Sequence, residues 1–209
     1  MVTSIDTPHG LTSVEALIKR MFDLIFSFIG LIITGPIIAV AWVLATLDTG
    51  RNGFFLQSRV GRFGKSFKII KIRTMRTDSV LNTTVTTSTD RRITRVGRIL
   101  RKTKIDELPQ LINVLIGDMS FVGPRPDVAG FADILEGDDR VVLSVRPGIT
   151  GPAALAYRNE EEILSLQEDP ELYNREVIFP EKVRINREYI EKYSFLNDIK
   201  YIFLTLFHG

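Results

Sequence analysis

"LIFSFIGLIITGPIIAVAWVLATL", residues 24–47, runs for 24 positions without a charged side chain. As one helix it would measure about 36 Å, more than the roughly 30 Å hydrocarbon core of a bilayer. Such length and purity predict a membrane segment, and no small-residue cleavage pattern follows that would mark it for removal. Gly35 and Pro36 sit at its middle. Pro36 has no N–H for the Ile32 carbonyl and its ring crowds that turn, so a sharp bend is expected there. Lys19 and Arg20 precede the segment, and Arg51, Arg59, Arg62 and Lys65 follow it. Basic flanks prefer the cytoplasmic side. Both ends being basic, the expectation is a re-entrant helix-break-helix over about residues 20–48 that enters one leaflet and returns, with a kinked spanning helix as the alternative.

Outward from this segment the chain predicts an α+β fold, mainly helical. The expected arrangement is an N-terminal membrane hairpin joined to a small cytoplasmic domain with a β-hairpin and interfacial amphipathic helices. Residues 1–16 read as a polar leader and 17–209 as one domain, which suits a chain of 209 residues. "FFLQSRVGRFGKSFKIIKIRTM" (54–75) has two β-rich runs around a glycine-containing turn, a hairpin signal. "TDSVLNTTVTTSTD" (77–90) has no helical period and reads as a loop. From Asp90 the text turns helical, with Ile93, Val96 and Leu100 on one face and Arg91, Arg95, Arg98 and Lys102 on another. Pro109 marks a break or a new first turn, and further helical interruptions are expected near Pro170 and Pro180. In "SFLNDIKYIFLTLFHG" (194–209), Phe195, Leu196, Ile199, Ile202, Phe203 and Leu206 follow helical spacing. That helix suits a membrane interface or a core equally well.

Composition removes whole classes of chemistry. The chain has no cysteine, so disulfides, thiolate metal sites and cysteine nucleophiles are excluded together. Its two histidines, His9 and His208, lie near the termini, so neither is expected as a buried general base. Carboxylates, cations, backbone amides and a metal remain. The net charge of +2 hides an asymmetry: residues 1–126 carry 18 Lys+Arg against 9 Asp+Glu, residues 127–209 carry 9 against 16. A basic half beside an apolar segment points to anionic lipid, phosphate or nucleic acid.

The chemistry is expected where the basic run ends. Between Arg91 and Lys104 there are seven basic residues and no acid, and then come Asp106 and Glu107. Neighbours on a helix lie about 100° apart, so two adjacent carboxylates can take different tasks. One can attack phosphorus while the other holds a divalent cation, an oxygen-rich arrangement suited to magnesium with a phosphate substrate. Arg101 is expected to lower the carboxylate pKa and keep it ionised. Exposed ion pairing with Arg101, Lys102 and Lys104 is the competing explanation of the same residues. Arg125 between Pro124 and Pro126, and Arg146 before Pro147, carry forked donors on restricted backbones and suit phosphate oxygens. Gly148, Thr150 and Gly151 form either an anion-binding turn or an ordinary loop.

"KRMFD", "GPIIAV", "QSRVGRFGKSFKIIKIRTM", "GRILRKTKIDELPQLINVLIGDMSFVGPRP" and "VRPGITG" together resemble the bacterial sugar transferases, the monotopic phosphoglycosyl transferases, over about residues 17–207. The resemblance implies a re-entrant helix and a two-step exchange at the cytoplasmic face of the bacterial inner membrane. Asp106 would attack the β-phosphate of a UDP-sugar, forming an aspartyl phosphosugar and releasing UMP. Polyprenol phosphate would then attack that intermediate. Glu107, beside Asp106, would hold Mg2+, and Arg101, Arg125 and Arg146 would hold phosphates. Three departures stand out. Gly35-Pro36 replaces the frequent Ser-Pro. "PAALAYRNEE" follows "PGITG" where many members have Trp-Ala-Gln-Val-Asn-Gly-Arg, which leaves the sugar open. The short leader resembles the minimal catalytic form.

Two other classes are consistent with parts of the text. A tethered anion-binding protein would use the arginine helix, but aromatic residues are scarce around it, so nucleic acid is not the expected partner. A non-catalytic scaffold is the other. A homodimer is compatible with the chain, and no segment requires one.

Overall fold

The computed structural model describes residues 10–76 and 90–208. The threonine-rich stretch, except Asp90, and residues 1–9 lie outside the described residues. Among the described residues the fold is mainly helical α+β, with one long apolar helix and two small two-stranded sheets.

Helix α1, Ser13–Thr49, is one helix of 37 residues. Thr12 caps it reciprocally: Glu15 N–H donates to Thr12 Oγ1 at 3.3 Å and Thr12 N–H to Glu15 Oε2 at 2.8 Å. The helix therefore starts inside the stretch expected as leader. It also runs through Gly35-Pro36 without the expected break. An interior proline removes one hydrogen bond and crowds one turn, while packing on both sides of it holds the helical path. At the far end Gly50 takes φ 68° and its N–H closes on Thr46 O at 3.0 Å.

The packing face of α1 is one stripe: Lys19, Asp23 and Ser27, then Ile38, Ala41 and Ala45 are buried. Between these two groups Gly30 lies against Leu111. The outward face carries exposed Ile25, Phe28, Ile32, Ile33, Val40 and Leu47. Buried polar groups near its start beneath an exposed apolar face are the pattern of a helix whose solvent is hydrocarbon. By length and composition α1 can cross a membrane.

Both ends of α1 are tied to the same body. Near the start, Lys19 pairs with Asp198, and Arg20 donates to Val114 O at 2.7 Å and Leu115 O at 2.9 Å. Asp23 Oδ1 accepts Ser120 Oγ and Phe121 N–H, each at 3.1 Å. Near its end, Ile38, Ala41 and Ala45 pack in one cluster with Ile72 and Leu100, while Trp42 Nε1 and Thr46 Oγ1 hold the exit loop through Asn52 Oδ1 at 3.1 Å and Gly53 N–H at 2.9 Å.

The expected hairpin is present. β1, Phe54–Val60, pairs antiparallel with β2, Ser66–Ile72, in the register Phe54 to Ile72 through Val60 to Ser66. The turn uses positive φ at Phe63 and Gly64. α2, Arg95–Lys102, is the expected basic amphipathic helix, capped by Thr94, whose hydroxyl accepts Gly97 N–H at 2.9 Å. Pro109 begins a new helix, α3, Gln110–Ile116. α3 holds the hairpin through one side chain: the fully buried Asn113 accepts Ile70 N–H at 3.0 Å and donates to Lys68 O at 2.8 Å. It thereby serves the open edge of β2 as a strand would.

β3, Ser120–Val122, and β4, Gly148–Thr150, pair in parallel. A Cβ at Gly148 would meet Gly123 N at 2.2 Å, and one at Gly151 would meet Gly123 O at 2.5 Å. The glycines of "PGITG" thus permit close backbone approach, the ordinary structural alternative. Short helices α4, Pro152–Ala156, α5, Glu160–Ser165, and α6, Pro170–Tyr173, follow. A π-turn at Asn174–Ile178 leads into α7, Phe179–Glu191. The interruptions expected near Pro170 and Pro180 are present as element boundaries: Pro170 opens α6 after α5 ends at Ser165, and Pro180 lies in the first turn of α7, where the π segment gives way to α-helix.

α8, Phe195–His208, meets the core expectation with one face and leaves another face exposed. Asp198 is buried and accepts Tyr189 Oη at 2.7 Å, and Tyr201 and Ile202 pack on the core of Val122, Val145 and Ile190. Leu196, Phe203, Leu206 and Phe207 are exposed.

Replacing Asn113 with Ala strips partners from two backbone groups of β2. Urea unfolding in detergent, followed by the single Trp42, should show a loss of roughly 2–4 kcal/mol. An unchanged midpoint would contradict this linkage role.

Candidate functional site

Asp106 and Glu107 do not lie on the basic helix. α2 ends at Lys102, and Lys104 adopts φ 56°, a left-handed conformation uncommon for a residue with a side chain. That turn redirects the chain into a short 3-10 turn, Ile105–Glu107. Ile105 and Leu108 anchor it against the cluster containing Ile38, Ile72 and Leu100. The carboxylates are therefore positioned by apolar residues on either side of them.

Their environments differ sharply. Glu107 Oε1 accepts Lys71 Nζ at 3.0 Å and a second hydrogen bond from Arg125 Nη2. Although burial opposes ionisation, Arg125 and Lys71 together hold the Glu107 carboxyl well below the usual range. Asp106 is 6% exposed, and its Oδ1 is buried without a hydrogen-bond partner. Burial first, and the neighbouring Glu107 charge second, push the Asp106 carboxyl up to about 6. This corrects the expectation from sequence. Arg101 does act downward, but desolvation and the like charge outweigh it. At pH 7 the ionised form of Asp106 still predominates.

The pair opens onto a cleft of about 930 Å³. Arg59, Arg98, Arg101 and Lys104 contribute to its walls together with Lys71 and Arg125. The expected phosphate-binding arginines divide. Arg125 reaches the pair directly through Glu107. Arg101 lines the cleft but pairs with Glu161. Arg146 is not brought to Asp106: its Nε donates to Gly117 O at 2.9 Å, and it faces a separate small cavity beside Lys19 and Asp23. Gly35 and Pro36 belong to α1 and are not in the cleft wall.

Several cleft residues escaped sequence reasoning. Lys71 was concealed as one more residue of a β-rich run, and a lysine flanked by Ile70 and Ile72 was the available signal. Asp127 directly follows Pro126, where the chain changes from basic to acidic. It shares the cleft with Glu160 and Lys182, and burial pushes its carboxyl up to about 6. Lys182 Nζ lies 2.7 Å from both oxygens of Glu160, which links α7 to α5 across the stretch that departs from the common pattern.

The donor set fits a small hard cation only with help from a ligand. Among the described residues no cluster of three or more His, Cys, Asp or Glu side chains occurs. Asp106 Oδ1 is buried with no hydrogen-bond partner, and Glu107 Oε2 makes a long contact, 3.5 Å from Arg125. Magnesium bound through one or two carboxylates plus substrate phosphates matches such a set.

A folded-state pKa above the unfolded value means that the folded chain holds the Asp106 proton more tightly, so this group weakens the fold as pH rises from about 4 to about 6. Carboxyl carbon NMR should place the Asp106 midpoint near 6. In Glu107→Gln it should fall, because a like charge is lost and Lys71 and Arg125 then act on Asp106. A wild-type midpoint below 4 would contradict this electrostatic arrangement.

The chain matches the family described as bacterial sugar transferase over residues 14–209. It is 36% identical, over 98% of its length, to the UDP-glucose:undecaprenyl-phosphate glucose-1-phosphate transferase of Escherichia coli K12, covering 42% of that protein. It is 46% identical, over 56% of its length, to the putative undecaprenyl-phosphate N-acetylgalactosaminyl 1-phosphate transferase of Bacillus subtilis 168, covering 65% of it. To the exopolysaccharide production protein ExoY of Sinorhizobium fredii it is 31% identical over 90% of its length, and there it covers 83% of the relative. With nearly the whole chain inside the match, the protein belongs to the bacterial sugar transferase family.

Proposed function

We propose that this chain transfers a sugar phosphate from a UDP-sugar to polyprenol phosphate, with Asp106 as the nucleophile. The observation that carries the reading is a buried carboxylate oxygen without a partner, beside a second carboxylate already neutralised by two cations. The names of the relatives support the substrate classes, since two of them specify undecaprenyl phosphate and one specifies UDP-glucose.

In the first step an Asp106 oxygen forms a bond to the β-phosphorus of the donor. The bridging bond to the α-phosphate breaks, and UMP leaves with the electron pair. In the second step a phosphate oxygen of the polyprenol phosphate attacks the same phosphorus. The aspartyl oxygen to phosphorus bond then breaks, which restores the carboxylate and yields a polyprenyl diphosphate sugar. No histidine is required, because neither attacking oxygen has to lose a proton when ionised. Arg125 and Lys71, fixed on Glu107, keep positive charge near the transferring group, and Arg101 adds a forked donor in the same cleft. Glu107 with Asp106 would hold Mg2+, which supplies charge neutralisation of the diphosphate. The product class is that of a first membrane-bound intermediate in glycan assembly.

The membrane arrangement is proposed as monotopic, with the cleft on the cytoplasmic side of the bacterial inner membrane. The support is that both ends of α1, and Gly30 between them, contact the one folded body that carries the cleft: Arg20 bonds α3, and Ala41 and Ala45 pack with Ile72 and Leu100. A straight crossing would draw that body into the bilayer.

Asp106→Asn should reduce UMP release from a UDP-sugar by at least about 10³-fold, and retained turnover would refute the nucleophile assignment. Chelation should stop the wild-type reaction and added Mg2+ restore it. For topology, single cysteines at Thr12 and Ser58 in this cysteine-free chain should both resist labelling from outside intact cells. Labelling of one alone would show that α1 crosses.

A further inference from the structure

The cleft is not uniformly charged. α2 and the 3-10 turn line it with Arg98, Arg101 and Lys104, whereas β3, β4 and α8 contribute Phe121, Ile149, Ile202 and Leu206. A hydrogen bond of 2.6 Å between the hydroxyls of Thr150 and Thr205 joins β4 to α8 along that apolar side. Leu206 is 71% exposed, so the apolar lining continues to the surface. On the same helix, Phe203 and Phe207 are exposed and their rings stack with centroids 6.1 Å apart.

From this we infer that the apolar wall formed by β4 and α8 receives the first isoprene units of the acceptor lipid. The assignment rests on the proposed function and deepens it. An attacking phosphate oxygen must come within about 3–3.5 Å of the phosphorus held on Asp106. The first isoprene is bonded to that same phosphate through one oxygen, so hydrocarbon enters the cleft whenever the phosphate does. Cations cannot solvate it, and the side of the cleft made by Ile149, Ile202 and Leu206 can. Exposed apolar residues on α8 then give a continuous path from the bilayer to the reacting phosphorus. Leu196, on the same helix and 77% exposed, does not line the cleft and serves as the control.

The experiment compares Leu206→Ser, Ile202→Ser and Leu196→Ser in full-length protein in nanodiscs. Two quantities are read: the rate of phosphosugar adduct formation with UDP-sugar alone, and KM for undecaprenyl phosphate in the full reaction. Leu206→Ser and Ile202→Ser should form adduct within about twofold of wild type and raise the acceptor KM about fivefold or more, a scale set by lost contacts to buried methylenes. Leu196→Ser should leave both near wild type. Ile202 is half-buried, so if its variant misfolds and forms no adduct, the exposed Leu206 decides. Normal adduct formation in Leu206→Ser with an acceptor KM no higher than that of Leu196→Ser overturns the inference. Absence of any adduct in turning-over wild-type protein instead removes the proposed function, and this assignment with it.

Discussion

The double hold of Lys71 and Arg125 on Glu107 is the constraint around which the rest of the site is arranged. Two adjacent carboxylates in a desolvated turn repel each other, and burial penalises both. Supplying both cations to one member resolves that conflict unequally. Glu107 becomes a fixed, ionised support, while Asp106 keeps an unpartnered oxygen and a pKa raised to about 6. A carboxylate of this kind stays largely ionised at neutral pH yet accepts no hydrogen bond from Lys71 or Arg125, which both go to Glu107. The asymmetry comes from distant parts of the chain: Lys71 from the hairpin, Arg125 from the stretch after β3, and both acids from the turn after α2.

The hairpin, in turn, depends on α3 and α1. Asn113 fixes the edge of β2, and Arg20 binds the last carbonyls of α3, where the helix dipole favours a cation. A chain of buried polar contacts thus links the start of the apolar helix to the strand bearing Lys71. The apolar helix is part of the frame that holds the site, beyond any role as an anchor. Its interior face is polar near its start and small-residue apolar near its end, matching the two parts of the body it touches. The contrast with its hydrocarbon-facing surface explains how one element can meet lipid and protein along its whole length.

Much of this was legible in the residues because it depends on local pattern. The hairpin, the Thr94-capped basic helix, the restart at Pro109 and the long apolar helix all follow from periodicity, caps and breakers. What failed was decided by tertiary context. Pro36 forbids one hydrogen bond, yet the packed stripe on both sides carried the helix past it. Arg101 was expected to control Asp106, but burial and Glu107 set its pKa, and burial is invisible in a string of residues. Lys71 and Arg125 lie 36 and 18 positions from Glu107, so no spacing rule could pair them. Arg146 looked equivalent to Arg125 because both flank prolines, and the fold sends it to a different cavity.

The central claim is that Asp106 becomes covalently bonded to a sugar-bearing phosphate. The most direct measurement is mass spectrometry of the protein quenched after incubation with a UDP-sugar and Mg2+ but no acceptor. The account predicts a peptide containing Asp106 heavier by one sugar phosphate, localised to that residue by fragmentation and lost when polyprenol phosphate is added. Turnover under the same conditions with no adduct, or with an adduct on another residue, would contradict it.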